Sequence, residues 1–159
     1  MSVIKAKRKV TPFKVITNFI QIRKDITELI YHSFKYKPCE GDDVDFCQWF
    51  IRIERDKIMK LLQDADRYII MANSIYPVHD FEFEHRRELQ NAALGLLFDI
   101  LQESQYILET LGIDINKYMV YATAINEEIE LVRAWRQSDN RKRKALQRSE
   151  SASNGGQSL

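Results

Sequence analysis

Helix-breaking residues are scarce in this chain. It has three prolines and five glycines in 159 residues, and all but Gly95 lie at breaks in helical periodicity or in the C-terminal tail. Because neither residue type is well tolerated inside a helix, these breaks divide the chain into four long segments. No useful stretch alternates apolar and polar residues with a period of two. The sequence therefore predicts an all-α fold.

Each segment carries apolar residues at steps of three and four, which gives one helical stripe. The first begins at Thr11-Pro12, and the third begins after Pro77 with Asp80 as N-cap and ends at Gly112 in a left-handed C-cap. The stripes are, in chain order, Val15, Phe19, Ile22, Ile26, Leu29 and Ile30; Phe46, Phe50, Ile58, Leu61, Leu62, Ala65, Ile69 and Ala72; Leu89, Ala93, Leu96, Leu97, Ile100, Leu101, Ile107, Leu108 and Leu111; and Tyr118, Ala122, Ile125, Ile129, Val132 and Trp135.

Four such helices, joined by short loops, pack most simply as an antiparallel up-down-up-down four-helix bundle. We expect a basic N-terminal arm over residues 1–11, the bundle over 12–140, and a disordered tail over 141–159 that is first basic and then rich in Ser and Gly. For Arg141–Arg148 a second interpretation is open, in which this run extends helix four. The charged stretch Glu84–Glu88 is interpreted as a solvated helix face.

The net charge of +1, from 24 basic and 23 acidic residues, is an average over unlike parts. Residues 1–14 carry five bases and no acid, residues 136–159 carry six bases and two acids, and the body between them has a net charge of −8. In an up-down bundle the two basic ends meet at one pole, which predicts contact with RNA, with DNA as the alternative. The predicted contacts are Lys5, Lys7, Arg8, Lys9, Lys14, Arg136, Arg141, Lys142, Arg143 and Lys144.

Enzymatic patterns are missing from the sequence. The three histidines do not form an HExxH motif, no CxxC occurs, and there is neither a glycine-rich phosphate loop nor a nucleophile elbow. The pairs Arg23/His32 and Arg67/His79 are too widely spaced for the Arg-to-His spacing of HEPN-type RNases. We therefore expect no catalytic residues, no metal and no cofactor.

Three features of the sequence indicate the cellular compartment. No stretch of about 18 uncharged apolar residues is present, so no membrane span is expected. The N-terminal residues lack the apolar run of a secretory signal peptide. Cys39 and Cys47 are expected to be free thiols, since they would pair only in an oxidising setting. These observations predict a cytoplasmic protein.

Aromatic residues on the fourth segment are candidates for a partner or oligomer interface: Tyr118, Tyr121 and Trp135. Tyrosines at helical spacing are half-buried core or interface residues more often than nucleotide-stacking residues. For Trp135, which precedes the basic Arg136, two interpretations stay open. It either anchors a partner, as Trp does in many interfaces, or closes the end of the core.

From about Leu89 to Arg136 the chain carries Leu108, then Leu111-Gly112-Ile113, Lys117-Tyr118, Ile125, Glu127-Glu128-Ile129 and Trp135. This third of the sequence resembles a family of small four-helix-bundle proteins that includes the accessory variability determinant (Avd) of diversity-generating retroelements and the proteins of ribosomal-RNA intervening sequences. The resemblance implies a non-enzymatic protein that forms a homo-oligomeric ring, typically a pentamer. In retroelements such a ring binds the reverse transcriptase and its template RNA.

Two function classes result. The first is an oligomeric accessory protein that binds nucleic acid and a reverse transcriptase and supports retroelement cDNA synthesis. In this class the acidic side of the bundle, including Glu127 and Glu128, docks on a basic partner such as the polymerase. The second is a helical protein–protein interaction module without nucleic-acid binding.

Overall fold

The structure is a computed structural model that describes residues 12–32, 44–112 and 116–155. It contains four helices: α1 (Pro12–His32), α2 (Val44–Ser74), α3 (Asp80–Leu111) and α4 (Asn116–Gly155). The described residues contain no strand. The predicted all-α fold is confirmed.

The helices form a four-membered ring in which α1 packs on α2 and α4, and α3 packs on the same two helices. Along α1, Arg23 contacts Asp66 and Thr27 contacts Met59, so the numbers on α2 fall as those on α1 rise. In the contacts between α2 and α3, between α3 and α4, and between α1 and α4, residue numbers also rise along one helix as they fall along the other. Each of these pairs is therefore antiparallel. The predicted antiparallel up-down-up-down bundle is therefore what the structure has.

Most of the core comes from the predicted stripes, although Leu94 was not predicted and Leu29 and Leu108 are not part of the buried cluster. Val15, Phe19, Leu97, Ile100 and their neighbours on all four helices are buried in one contiguous cluster. Phe46 departs from the prediction, because 48% of its surface is exposed. Since Thr27 already lies opposite Met59, the first turns of α2 extend past the last residue of α1. Phe46 therefore has no α1 side chain to pack on.

Both ends of α3 show why the helix stops where it does. Gly112 adopts φ +62° and ψ +33°, and its N–H donates to the Leu108 carbonyl, which confirms the left-handed C-cap. At the other end the N-cap is His79, so the prediction of Asp80 as the cap is wrong. The Glu82 carboxylate accepts hydrogen bonds from the backbone N–H groups of Val78 (2.7 Å) and His79 (2.9 Å).

The fourth helix is longer than predicted, since α4 continues through Arg141–Arg148 to Gly155. The helix-extension interpretation of Arg141–Arg148 therefore fits the structure, which differs from the predicted tail as far as Gly155. The physical reason is local: Arg, Lys, Ala, Leu and Gln are strong helix formers, and no proline or glycine interrupts the chain before Gly155. The last four residues lie outside the described part of the chain.

Two further observations concern the sequence-based prediction of compartment. Cys47 is disulfide-bonded, which differs from the expected free thiol, and Cys39, the chain's other cysteine, lies outside the described residues. None of the helices, over the residues the structure describes, has the length and apolar character needed to cross a membrane.

Gly95 inside α3 and Gly112 at its C-cap give a matched pair of substitutions. We expect Gly112→Ala to lower the free energy of unfolding by about 1 kcal/mol, because an L-residue is strained at positive φ. A Cβ at Gly112 meets no atom within 4 Å, so no steric clash adds to this cost. Gly95→Ala, also free of neighbours within 4 Å but inside α3, should raise the free energy of unfolding by about 0.5–1 kcal/mol.

Urea unfolding of the two variants and the parent protein measures both values. If both substitutions changed the free energy of unfolding in the same direction and by the same amount, the left-handed conformation of Gly112 would be contradicted.

Candidate nucleic-acid interface

At one end of the bundle the C-terminal part of α4 extends beyond α1 and packs along the N-terminal part of α3. Asn18 of α1 contacts Glu128 of α4. From that level α1 continues for less than two turns to Pro12, whereas α4 continues for more than seven turns to Gly155. We call residues 76–91 together with residues 135–148 the α3–α4 pole.

A buried polar cluster joins the two helices of this pole. The Arg86 Nε lies 3.2 Å from the Asp139 Oδ2, and the Gln90 side-chain amide donates to the same oxygen at 2.9 Å. The Arg86 guanidinium also lies 4.8 Å from the ring centroid of Trp135. All four side chains are buried. Burial lowers the pKa of Arg86, and the Asp139 carboxylate opposes this shift.

Trp135 therefore closes the core between α3 and α4. Only 1% of its surface is exposed, so the interpretation that it anchors a partner is wrong for this structure. The interpretation of Glu84–Glu88 as a solvated face is wrong for Arg86, which is buried. Asp139 was not singled out from the sequence, although a signal for both residues is present. Asp139 follows Trp135 by four residues and Val132 by seven, while Arg86 precedes Leu89 by three, so both lie in phase with apolar stripes.

Further along α4, Arg143 makes a forked contact with the first turns of α3. Its Nε lies 2.8 Å from the Asp80 Oδ1 and its Nη2 lies 2.9 Å from the Glu84 Oε1. The Gln147 amide donates to Asp80 as well. The Arg143 hydrogen bond lowers the pKa of Asp80, and the two carboxylates raise the pKa of Arg143 above its ordinary value. Arg143 thus fastens α4 to α3.

The remaining predicted bases of α4 divide by exposure. Arg136 is half-buried and donates from Nη1 to the Asn91 side chain at 2.6 Å. Arg141, Lys142 and Lys144 are exposed, as is Arg148, which was not among the predicted contacts. The spacing of three and four residues puts Arg141, Lys144 and Arg148 on one face of α4. We call these three residues the basic face.

The N-terminal segment contributes one described residue. Lys14 is exposed in the first turns of α1, one turn before Asn18. It therefore lies at the end of α1 from which the α3–α4 pole extends. Lys5, Lys7, Arg8 and Lys9 lie outside the described residues.

Exposed aromatic rings surround the start of α3. The exposed fractions are 90% for Tyr76 and 67% for Phe81, and Val78 between them is exposed too. The His79 and Phe81 rings stack, with centroids 5.8 Å apart and planes 12° apart. Sequence reasoning named neither Tyr76 nor Phe81 as a site residue. Arg87, also exposed, was missed because it was read as part of a solvated face.

The two predicted interface tyrosines lie on α4 near the opposite end of the bundle. Tyr118 is half-buried and its hydroxyl donates to the Leu101 carbonyl at 3.0 Å. Tyr121 is half-buried as well and lines a shallow groove between α1 and α4. Each has part of its surface free of contacts within the chain.

Glu128 lies inside the bundle. Its side chain is fully buried, its Oε2 accepts a hydrogen bond from the Asn18 amide at 2.6 Å, and its Oε1 has no hydrogen-bond partner among the described residues. Burial raises its pKa to about 7. The expectation that Glu128 docks a basic partner is therefore wrong, because the residue is in phase with Ile125 and Val132; Glu127 is exposed.

Within residues 12–32, 44–112 and 116–155, no three His, Cys, Asp or Glu side chains are grouped so that they could hold a metal ion.

Comparisons with known proteins give no identification. No protein-family model matches the chain, and no curated protein and no solved structure is significantly similar to it. The resemblance to the Avd family stays a prediction from the sequence.

The pH dependence of stability tests the site of Glu128. Its pKa of about 7 in the folded state exceeds the ordinary 4.5, so its contribution to stability is complete below pH 4.5 and is lost as pH rises through 7. The 2.5-unit difference corresponds to about 3 kcal/mol. Glu128→Gln should raise the free energy of unfolding at pH 8 by about 1–3 kcal/mol and flatten its decline between pH 5 and pH 8.

Urea unfolding at several pH values measures this effect, and Glu127→Gln, at the exposed neighbour, is the matched control. If the free energy of unfolding of both variants changes with pH in the same way as that of the parent protein, Glu128 is not buried as described.

Proposed function

We propose that this chain is a non-enzymatic accessory protein that binds nucleic acid through the α3–α4 pole. The proposal extends to the role that the family resemblance implies, in which an oligomer of the protein binds RNA and a reverse transcriptase and supports retroelement cDNA synthesis. The polymerase and the RNA as template rest on that resemblance alone. Nucleic-acid binding rests on the residues of the pole.

The observation that carries the proposal is the basic face of α4. Arg141, Lys144 and Arg148 are exposed on one side of the helix, and no acidic residue occurs between Asp139 and Glu150. The face spans eight residues, about 10 Å along the helix axis, which matches about three phosphates of one strand at 3.4 Å each.

Rigidity adds to the case. The Arg86–Asp139 contact and the Arg143 fork hold α4 against α3 on both sides of residue 141. The cations of the basic face therefore keep a fixed spacing, and binding a polyanion does not have to order the backbone of this segment first. Lys142 adds positive charge on the same segment of α4, and Lys14 adds positive charge at the same end of the bundle. Arg136 and Arg143 are already occupied within the chain, so we assign them to positioning.

Removal of the basic face tests the proposal. In the triple variant Arg141→Gln, Lys144→Gln, Arg148→Gln, we expect the affinity for a fluorescent 20-nucleotide RNA at 50 mM salt to fall by about tenfold or more. The slope of log affinity against log salt should decrease by about 2, since each lost contact with a single strand removes about 0.7. Fluorescence anisotropy at 50, 100 and 200 mM salt measures both quantities.

The matched control removes three exposed bases from α2, in the variant Arg52→Gln, Lys60→Gln, Arg67→Gln. It changes the net charge equally and should leave the slope nearly unchanged. Equal losses in the two triple variants would show that overall charge governs binding and would contradict a localised site.

The second candidate, a protein–protein module, is favoured by one observation. Phe46, Trp49 and Tyr106 are about half exposed and are linked through Phe50 into one aromatic cluster, with neighbouring ring centroids 5.7–6.0 Å apart. Connected, exposed aromatic rings are typical of protein interfaces.

We propose that a second copy of the chain covers this cluster in an oligomer that also involves Tyr118 and Tyr121. By resemblance, this oligomer is a pentameric ring. A native mass equal to one chain would contradict this, and intact oligomers that bind no RNA at 50 mM salt would favour the second candidate.

A further inference from the structure

The shallow groove between α1 and α4 is lined largely by apolar side chains. Ile22 and Ile26 of α1 are buried along it, and Val120 and Ala124 line it from α4. We call it the α1–α4 groove. Its volume of about 200 Å³ is smaller than the roughly 300–1,000 Å³ that is typical of sites for whole small molecules. The groove is therefore suited to side chains of a docked molecule rather than to a free ligand.

The rim of the α1–α4 groove is negatively charged. Asp25 and Glu28 line it from α1, about one helical turn apart, and among the described side chains no Lys or Arg lines it. The Asp25 carboxylate accepts a hydrogen bond from the neutral Gln21 amide at 2.8 Å. Neither acid forms an ion pair within the described part of the chain. Two uncompensated carboxylates therefore lie beside an apolar surface.

Further acidic residues lie at the end of the groove that is nearer the α3–α4 pole. Asn18 precedes Ile22 by four residues and Glu128 follows Ala124 by four, so the buried Asn18–Glu128 contact lies one turn beyond the groove. Glu127, next to Glu128, is exposed. These carboxyl groups add negative charge to the same side of the bundle.

Deepening the proposed function, in which the chain binds a partner protein, we infer that the α1–α4 groove is the docking site for a basic segment of that partner. Arg and Lys side chains have apolar stems and charged heads. Their stems can pack on the apolar lining while their heads contact Asp25 and Glu28. The half-buried Tyr121 ring, which also lines the groove, is a surface on which a guanidinium can pack.

Charge separates this occupant from two others. The proposed oligomer also involves Tyr121, which makes a second copy of the chain the competing occupant. Residues 15–135 of that copy have a net charge of −8, and like-charged surfaces repel each other. A nucleic acid is repelled for the same reason. The unpaired acids of the groove therefore favour a basic partner.

The experiment measures binding of a defined peptide by fluorescence anisotropy, using the intact protein at 50 mM salt. The probe is a labelled 14-residue Ala peptide with one Leu and two Arg residues on one helical face, and its matched control has Gln in place of Arg. We expect the Arg peptide to bind more tightly, and its affinity to fall as salt rises. The double variant Asp25→Asn, Glu28→Gln should weaken its binding about 2- to 30-fold, as the loss of two exposed ion pairs would.

A matched acid variant controls for overall charge. Asp99→Asn with Glu109→Gln removes two exposed acids from α3, which does not line the groove. Glu109 accepts a hydrogen bond from a Gln amide four residues earlier, as Asp25 does. This variant should keep the affinity of the parent protein for the Arg peptide.

A second pair of variants tests the apolar lining without changing charge. Val120 is 71% exposed, so Val120→Ser should fold normally, yet it should weaken Arg-peptide binding by about threefold or more. Met119, its exposed neighbour, does not line the groove, and Met119→Ser should have no effect. Thermal unfolding monitored by circular dichroism confirms that each variant is folded.

The outcomes separate this inference from nucleic-acid binding. Equal binding of the two peptides, or equal losses in the two acid variants, overturns the inference. A native mass that falls to one chain in Asp25→Asn, Glu28→Gln would assign the groove to a second copy and would overturn it as well. RNA affinity should be unchanged in that variant. A parent protein that binds RNA but not the Arg peptide overturns the inference alone, and one that binds the Arg peptide but not RNA overturns only the proposed nucleic-acid binding.

Discussion

The buried contact between Arg86 and Asp139 is the interaction on which the shape of this protein depends. Removing one partner of a buried ion pair commonly costs about 3–5 kcal/mol, because the other charge is left uncompensated. Here Gln90 shares the Asp139 carboxylate and Trp135 packs against the guanidinium. The cluster continues the α3–α4 interface past the apolar core, and this continuation places the basic segment of α4 on a fixed surface.

The second buried carboxylate has the opposite character. Glu128 has one hydrogen-bond partner, Asn18, and no cation is paired with it in the structure. Its contact ties α1 to α4, but the buried charge makes that contact weaker as the carboxyl group ionises near neutral pH. The contact of α3 with α4 is thus secured by a paired charge, whereas the contact of α1 with α4 through Glu128 has no paired cation among the described residues.

Much of the fold follows from local sequence. Pro12, Pro77 and Gly112 mark helix ends because their backbone preferences act within one turn, and the apolar stripes identify the core because their period is that of a helix. Which stripe residues are exposed could not be predicted from the helical period alone. Phe46 is in phase with its stripe but extends past α1, and the length of α1 relative to α2 is a property of the whole bundle.

The site was less predictable than the fold for a related reason. Arg141–Arg148 could have been helix or tail, because the Arg143 fork needs Asp80 and Glu84, which lie about 60 residues earlier in the chain. Trp135 could have faced a partner or the core until the position of Arg86 was known. Three buried polar residues lie in phase with an apolar stripe: Arg86, Glu128 and Asp139. Their burial could have been predicted by including polar residues in the helical pattern, but their contact partners could not.

The central claim is that the end of α4 is an ordered helix, fixed to α3, that contacts nucleic acid. Amide hydrogen exchange of the intact protein, with and without a 20-nucleotide single-stranded RNA, measures it most directly. The account predicts slow exchange over residues 136–148 in the free protein and further slowing there and over residues 76–88 when RNA is added. Exchange of residues 141–148 at the rate of an unfolded chain, or slowing confined to α1 and α2, would contradict it.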